Sequence, residues 1–88
     1  MFGQPASLRL EYHRLRLLRI REILPELRDV VSQLQRGTVV GAKELCHALD
    51  DQQVSLDVIR GAAGALVAEG FLGRSRWFKF EVLAQNGQ

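Results

Sequence analysis

The sequence predicts a mainly α-helical domain that ends in a small β-hairpin. Leucines recur at helical spacing through the first third of the chain, and two shorter segments repeat apolar side chains every three or four residues. From Trp77 to Leu83 apolar and polar residues largely alternate, which is typical of a strand. A chain of 88 residues is expected to form a single core, because two smaller domains would each bury too little apolar surface.

The first third of the chain is predicted to form an amphipathic helix that begins near Ala6. Two apolar seams repeat every seventh residue, the first with Leu10, Leu17, Leu24 and Val31 and the second with Ile20, Leu27 and Leu34. This apolar surface exceeds what one additional helix needs, so residues 1–24 are expected to be an N-terminal extension that forms a homodimer. The expected dimer contacts are Leu10, Leu17, Ile20 and Leu24. Alternation over residues 8–12 leaves a short extended start open.

Pro25 is predicted to interrupt this helix, because proline lacks an amide hydrogen and its ring clashes with the preceding turn. Either a kink or a new helix is expected at this position. A new helix would run to about Gln35, and Gly37 would close it in the left-handed conformation. The main domain is expected to span residues 25–83, and residues 84–88 are expected to form a flexible polar tail.

The middle of the chain is predicted to contain a brief strand and two further helices. The β-branched residues 38–40 favour a strand, and the apolar spacing over residues 42–49 favours a helix. After a polar turn at residues 50–53, Ser55 is expected to cap a helix that ends at Gly70. Residues 71–72 and 77–83 are then expected to pair as a hairpin with residues 73–76 as its basic tip.

The charge of the chain hints at an anionic partner. Its formal net charge is +2, and basic residues are concentrated at its two ends. The basic residues in question are Arg9, Arg14, Arg16, Arg19, Arg21, Arg28 and Arg36 near the start, and Arg74, Arg76 and Lys79 near the end. No apolar stretch approaches the roughly 20 residues of a membrane span, and no signal peptide is recognisable at the N-terminus. A cytoplasmic location and no membrane partner are expected.

Catalytic and metal chemistry are not expected. The sequence has no nucleophile-and-base arrangement, no glycine-rich phosphate loop and no catalytic pair of carboxylates, so the protein is expected not to be an enzyme and to need no cofactor. Cys46, the one cysteine, is adjacent to His47, and no second pair lies at ligand spacing. A small buried apolar role for Cys46 in a reducing compartment is the simpler interpretation.

The order of helix, short strand, two helices and basic hairpin resembles the winged helix-turn-helix superfamily. The resemblance rests on residues 37–45, 54–59, 65–72 and 77–80, and it includes Gly70-Phe71-Leu72, where a helix leads into the first wing strand. It implies that the helix from Ser55 to Glu69 docks in the major groove of double-stranded DNA. Ser55 and Arg60 would then lie near bases, and Arg74, Arg76 and Lys79 on phosphates, with Lys43 at the flank.

The expected function is that of a small DNA-binding protein, acting as a dimeric transcriptional regulator. The alternative is a winged helix that serves as a protein interaction module, either an adaptor or an inhibitor, and does not bind DNA directly. Its contact surface would be either the basic N-terminal helix or a stripe of small residues, Gly61, Gly64, Ala65 and Ala68. Alternatively, this stripe would pack on the first helix of the same chain. Asp57 within the helix, and Asp50 and Asp51 in the preceding turn, would repel phosphates unless they faced away from them.

The aromatic residues near the C-terminal end admit two interpretations. Trp77, Phe78 and Phe80 could form a platform on which bases stack. In a strand, however, Trp77 with Lys79 and Phe78 with Phe80 would lie on opposite faces, so that one pair would belong to the core.

Overall fold

The computed structural model describes residues 6–49 and 54–83. This part of the chain contains three α-helices and one small antiparallel sheet, which confirms the prediction of a mainly α-helical fold with a C-terminal hairpin. The elements are α1 (Ala6–Ser32), β1 (Val39–Val40), α2 (Ala42–Ala48), α3 (Leu56–Glu69), β2 (Leu72–Arg74) and β3 (Phe80–Val82), with a short turn at Arg76–Phe78. The predicted turn at 50–53 and tail at 84–88 lie outside the described residues.

Helix α1 continues through Pro25, so the prediction of a new helix at this residue is wrong. Ile20 and Ile23 before the proline and Leu27 and Val31 after it are all buried. Because these residues follow one another along a single face, burying the whole face outweighs one missing backbone hydrogen bond. The domain boundary predicted at residue 24 therefore falls inside a continuous helix. Residues 8–12, where the sequence also allows an extended start, are helical as well.

Gly37 has the expected left-handed backbone, with φ of +91°, but it does not close a helix. It follows the end of α1 at Ser32 by five residues. Its N–H donates to the carbonyl of Val82 at 2.7 Å, and the N–H of Val82 donates to the carbonyl of Thr38 at 2.8 Å. Gly37 thus helps to join β1 to the C-terminal hairpin.

The ends of α3 are the ones that the sequence predicts. The hydroxyl of Ser55 accepts the N–H of Val58 at 3.2 Å, as an N-terminal cap does. At the other end Gly70 has φ of +89°, and its N–H bonds to the carbonyls of the last turn. Between these caps, the buried face of α3 is formed by Val58, Ile59, Ala62, Ala63 and Leu66.

The sheet has the order β1-β3-β2, and both pairings are antiparallel. Leu72 pairs with Val82, and Arg74 pairs with Phe80, so the strands end at Arg74 and Phe80. The tip of the hairpin therefore lies at residues 75–79, rather than at the predicted 73–76. This register places Leu72, Phe80 and Val82 in the core, and it leaves Trp77 and Phe78 outside the strand.

Helices α1 and α3 run in the same direction and touch closely at Gly61. A Cβ atom at Gly61 would lie 2.5 Å from the Cδ1 of Ile20, so the end of the Ile20 side chain would have to shift to accept any larger residue here. Two ion pairs flank the contact: Arg16 with Asp57 at 2.6 Å near the start of α3, and Arg28 with Glu69 at 2.8 Å at its end. The packing of α1 thus fixes the orientation of α3.

Candidate nucleic-acid interface

A surface groove of about 490 Å³ lies between α3 and the hairpin tip. An adjoining depression of about 480 Å³ extends from it toward the start of α2, and both are bordered by Arg60 and Lys79. Arg74 lines the first depression, and Lys43 lines the second. We call this continuous surface the basic groove and define it by Lys43, Arg60, Arg74 and Lys79.

The fold therefore brings together four of the six side chains that the sequence predicts to contact DNA. They come from α2, α3, β2 and the end of the hairpin tip. Arg76 is exposed within the tip, next to the lining residues. Ser55 does not line the groove, and its hydroxyl is occupied in capping α3.

Within the described residues the cations of the basic groove form no ion pair, although the positive charge of Arg60 acts on Asp57 and helps to lower the pKa of that carboxyl. Across residues 6–49 and 54–83, none of its four cations, nor Arg76, lies within 4.0 Å of a carboxylate oxygen. Glu44 borders the groove, but its Oε1 accepts the backbone N–H of Gly41 at 2.9 Å. The groove is consequently a concentration of positive charge that is open to an anionic ligand.

Of the three aspartates expected to oppose DNA, Asp57 faces α1, and Asp50 and Asp51 lie outside the described residues. Arg16 donates from its Nε to Asp57 Oδ2 at 2.6 Å and from a terminal nitrogen to the backbone carbonyl of Asp57 at 3.2 Å. The hydrogen bond from Arg16, together with the positive charges of Arg16 and Arg60, lowers the pKa of the Asp57 carboxyl, and the same hydrogen bond raises the pKa of the Arg16 guanidinium. Asp57 therefore stays ionised and compensated at neutral pH.

Arg74 is held along the surface of α3. Its guanidinium carbon lies 5.9 Å from the centre of the Phe80 ring, within cation–π range. A Cβ atom at Gly64 would meet a terminal nitrogen of Arg74 at 3.8 Å, which is ordinary van der Waals contact. In the predicted stripe of small residues, Gly61 thus faces α1 and Gly64 faces Arg74, while Ala65 is half-buried and Ala68 is exposed.

Trp77 and Phe78 project from the hairpin tip into solvent. They are 84% and 92% exposed, respectively, and both have left-handed backbone, with φ of 60° and 59°. That conformation costs about 1–2 kcal/mol for each non-glycine residue. The prediction that Trp77 with Lys79 and Phe78 with Phe80 lie on opposite faces of a strand is wrong here, because residues 76–78 form a turn. Only Phe80 of the three aromatic residues is buried.

The N-terminal half of α1 carries a second exposed surface, which is apolar. We call it the α1 apolar surface; it consists of Leu10, Tyr12, Leu15, Leu17 and Leu18. Of the four predicted dimer contacts, Leu10 and Leu17 belong to this surface. Ile20 is buried, and Leu24 packs against the core of its own chain. The predicted dimer contacts thus fall into two groups. Leu10 and Leu17 are open to a partner, whereas Ile20 and Leu24 are covered by the core of their own chain.

Other chemistry is sparse in the described part of the chain. No three His, Cys, Asp or Glu side chains there are grouped to hold a metal ion, and the half-buried Cys46 thiol lies 3.5 Å from the carbonyl of Val54. None of the helices within residues 6–49 and 54–83 is both long and apolar enough to cross a membrane. Comparisons with protein family models, curated proteins and solved structures found no match.

Proposed function

We propose that this protein is a winged-helix protein that binds double-stranded DNA and acts as a dimeric transcriptional regulator. This proposal rests on the convergence of Lys43, Arg60, Arg74 and Lys79 on one groove, where none of them forms an ion pair with a carboxylate of residues 6–49 and 54–83. Regulation by occupying a DNA site needs no cofactor. The order of α2, α3 and hairpin is compatible with a winged helix.

In the proposed complex α3 lies in the major groove and the hairpin tip lies on the adjacent backbone. Arg60 is exposed on α3 and reaches base edges, where an arginine recognises guanine best. Arg74, Arg76, Lys79 and Lys43 contact phosphates, and so they add affinity without reading the sequence. The ion pair of Asp57 with Arg16 supports this placement, because it compensates the carboxylate at the start of α3.

The double substitution Arg74→Ala/Arg76→Ala is expected to weaken binding to every DNA sequence. Each lost phosphate contact should reduce the slope of log affinity against log salt concentration by about 0.9, so the pair should reduce it by about 1.8. Fluorescence anisotropy titrations of two unrelated duplexes over a series of salt concentrations measure both the affinity and the slope.

The charge-matched control is Arg14→Ala/Arg21→Ala, which removes two exposed arginines from α1. It should leave the salt slope nearly unchanged, because these residues lie outside the basic groove. Unchanged affinity of the Arg74 and Arg76 variant would refute its assignment. An equal loss in both variants would mean that net charge alone attracts DNA.

We propose a second copy of the chain as the partner of the α1 apolar surface. Leu10 and Leu17 are seven residues apart on α1 and are 70% and 61% exposed. Apolar residues at this spacing form the contact surface between two helices of a coiled coil. Placing a carboxylate there by Leu17→Glu is expected to turn a dimer into a monomer, because the charge would have to be buried at the interface. Sedimentation equilibrium at micromolar protein concentration measures the change.

The control for this experiment is Ala48→Glu, which adds the same charge at an exposed position of α2 and should leave the dimer intact. A wild-type protein that sediments as a monomer would remove the dimer proposal. If that monomer also failed to bind DNA, the second candidate function would be favoured, a protein interaction module. Its contact surface would be the α1 apolar surface, with the exposed Ala68 as the alternative.

A further inference from the structure

The hairpin tip places two large aromatic side chains where they contribute nothing to the core. Trp77 and Phe78 are the two most exposed of the large apolar side chains in the described residues, and both adopt left-handed backbone that glycine would adopt more readily. Strain of this kind persists only where the surrounding structure imposes it, and it is frequent at ligand-binding sites. The exposure and strain of Trp77 and Phe78 together indicate a binding site for a ligand with apolar faces.

The surroundings of the aromatic pair indicate which ligand this is. Trp77 and Phe78 line the same groove as Arg60, Arg74 and Lys79, so flat apolar faces lie beside positive charges. Nucleic acid presents the complementary pattern, because planar bases alternate with phosphates along each strand. In an intact duplex, however, the faces of the bases are covered by their stacked neighbours, and only the base edges are open.

We propose that Trp77 and Phe78 stack on unpaired bases, so that the protein binds a duplex with an adjoining single-stranded segment more tightly than an intact duplex. This inference rests on the proposed DNA-binding function and specifies the kind of DNA preferred. In this arrangement the cations of the basic groove contact the backbone, and the tip receives the bases that are free of partners. Stacking depends little on base identity, since every base has a π face.

The test compares two labelled DNAs that differ only at a central gap: an intact duplex and the same duplex lacking a few nucleotides of one strand. Stacking on one base corresponds to about tenfold in affinity. Wild-type protein is expected to bind the gapped DNA at least about tenfold more tightly. The Trp77→Ala/Phe78→Ala variant should bind both DNAs within about twofold of each other and keep its affinity for the intact duplex.

Two further measurements make the result specific. Trp77 is the only tryptophan in the chain, so its fluorescence reports directly on the tip, and the gapped DNA should quench it more than the intact duplex does. The Trp77→Phe variant retains an aromatic ring and should keep the preference for gapped DNA. The matched control, Val39→Ala, removes an exposed apolar side chain from β1, outside both the basic groove and the α1 apolar surface, and should also leave the preference intact.

The failures of the two proposals can be told apart. Equal binding of both DNAs by wild-type protein, with the salt effect of Arg74→Ala/Arg76→Ala preserved, would overturn base stacking and leave the DNA-binding function in place. Equal weakening of both DNAs by the aromatic variant would also overturn stacking on unpaired bases. Tryptophan emission that changes with anionic lipid vesicles but with neither DNA would assign the tip to a membrane surface and overturn it as well. Absence of any DNA binding would end both proposals.

Discussion

Replacing Gly61 by leucine is expected to destabilise the protein by about 2 kcal/mol. The new side chain would start 2.5 Å from the Cδ1 of Ile20 and 3.0 Å from a terminal nitrogen of Arg16, so the ends of both side chains would have to shift, and the further bulk of a leucine is expected to push α1 away from α3. Overpacking of this extent costs about 3 kcal/mol, and the better helix propensity of leucine offsets about 1 kcal/mol. The movement would also stretch the ion pair of Arg16 with Asp57, one turn away on α3.

Thermal and urea denaturation followed by circular dichroism measure this effect, and the midpoint temperature should fall by roughly 10 °C. The matched control is Gly64→Ala on the same helix, where a Cβ atom meets only Arg74 at 3.8 Å. That change is expected to raise the free energy of unfolding by about 1 kcal/mol through helix propensity. A Gly61→Leu protein as stable as the wild type would contradict the close contact of α1 with α3.

The second large effect is expected from Pro25→Ala, which should stabilise the protein by about 2 kcal/mol. Pro25 is exposed and lies inside α1, where it cannot donate the hydrogen bond that every other interior position makes. Alanine is favoured over proline by about 3 kcal/mol in a helix interior. The greater freedom of the alanine chain in the unfolded state subtracts up to about 1 kcal/mol from this gain.

Urea denaturation of the Pro25→Ala variant gives the change in free energy of unfolding. Glu26→Ala is the control, because it changes a neighbouring exposed residue and leaves the backbone hydrogen bonds intact, so its effect should be small. A loss of stability in Pro25→Ala would mean that the chain needs an interruption of α1 at this residue. The continuous helix would then be contradicted.

Local signals in the sequence predict much of this fold, because their causes are local too. Ser55 and Gly70 mark the ends of α3 through a side-chain cap and a left-handed backbone, both of which act within one helical turn. The apolar spacing of α2 and α3 similarly predicts their buried faces. Four of the predicted DNA-contact residues could be grouped in advance, since they lie on or beside the helix and hairpin that the superfamily resemblance brings together.

The features that sequence reasoning missed depend on contacts between distant residues. Local chemistry argues for an interruption at Pro25, and only the burial of α1 against α3 overrides it. Leu10, Leu17 and Ile20 look alike in the sequence. Their spacing does not show that Ile20 belongs to the core of its own chain while Leu10 and Leu17 are exposed. Trp77 and Phe78 look like strand residues because aromatic side chains favour strands. The start of β3 at Phe80 is set instead by its pairing with β2, which buries Phe80 and Val82.

The middle position of β3 in the sheet has a consequence for molecular recognition. This strand is bonded on one side to β1 and on the other to β2, and within the tip the N–H of Ser75 donates to the carbonyl of Lys79 at 2.8 Å. The hairpin tip is thus joined to a strand that is hydrogen-bonded on both sides, to β1 and to β2. A ligand that binds the tip therefore meets a preorganised segment, and little of the binding free energy is lost to ordering the chain.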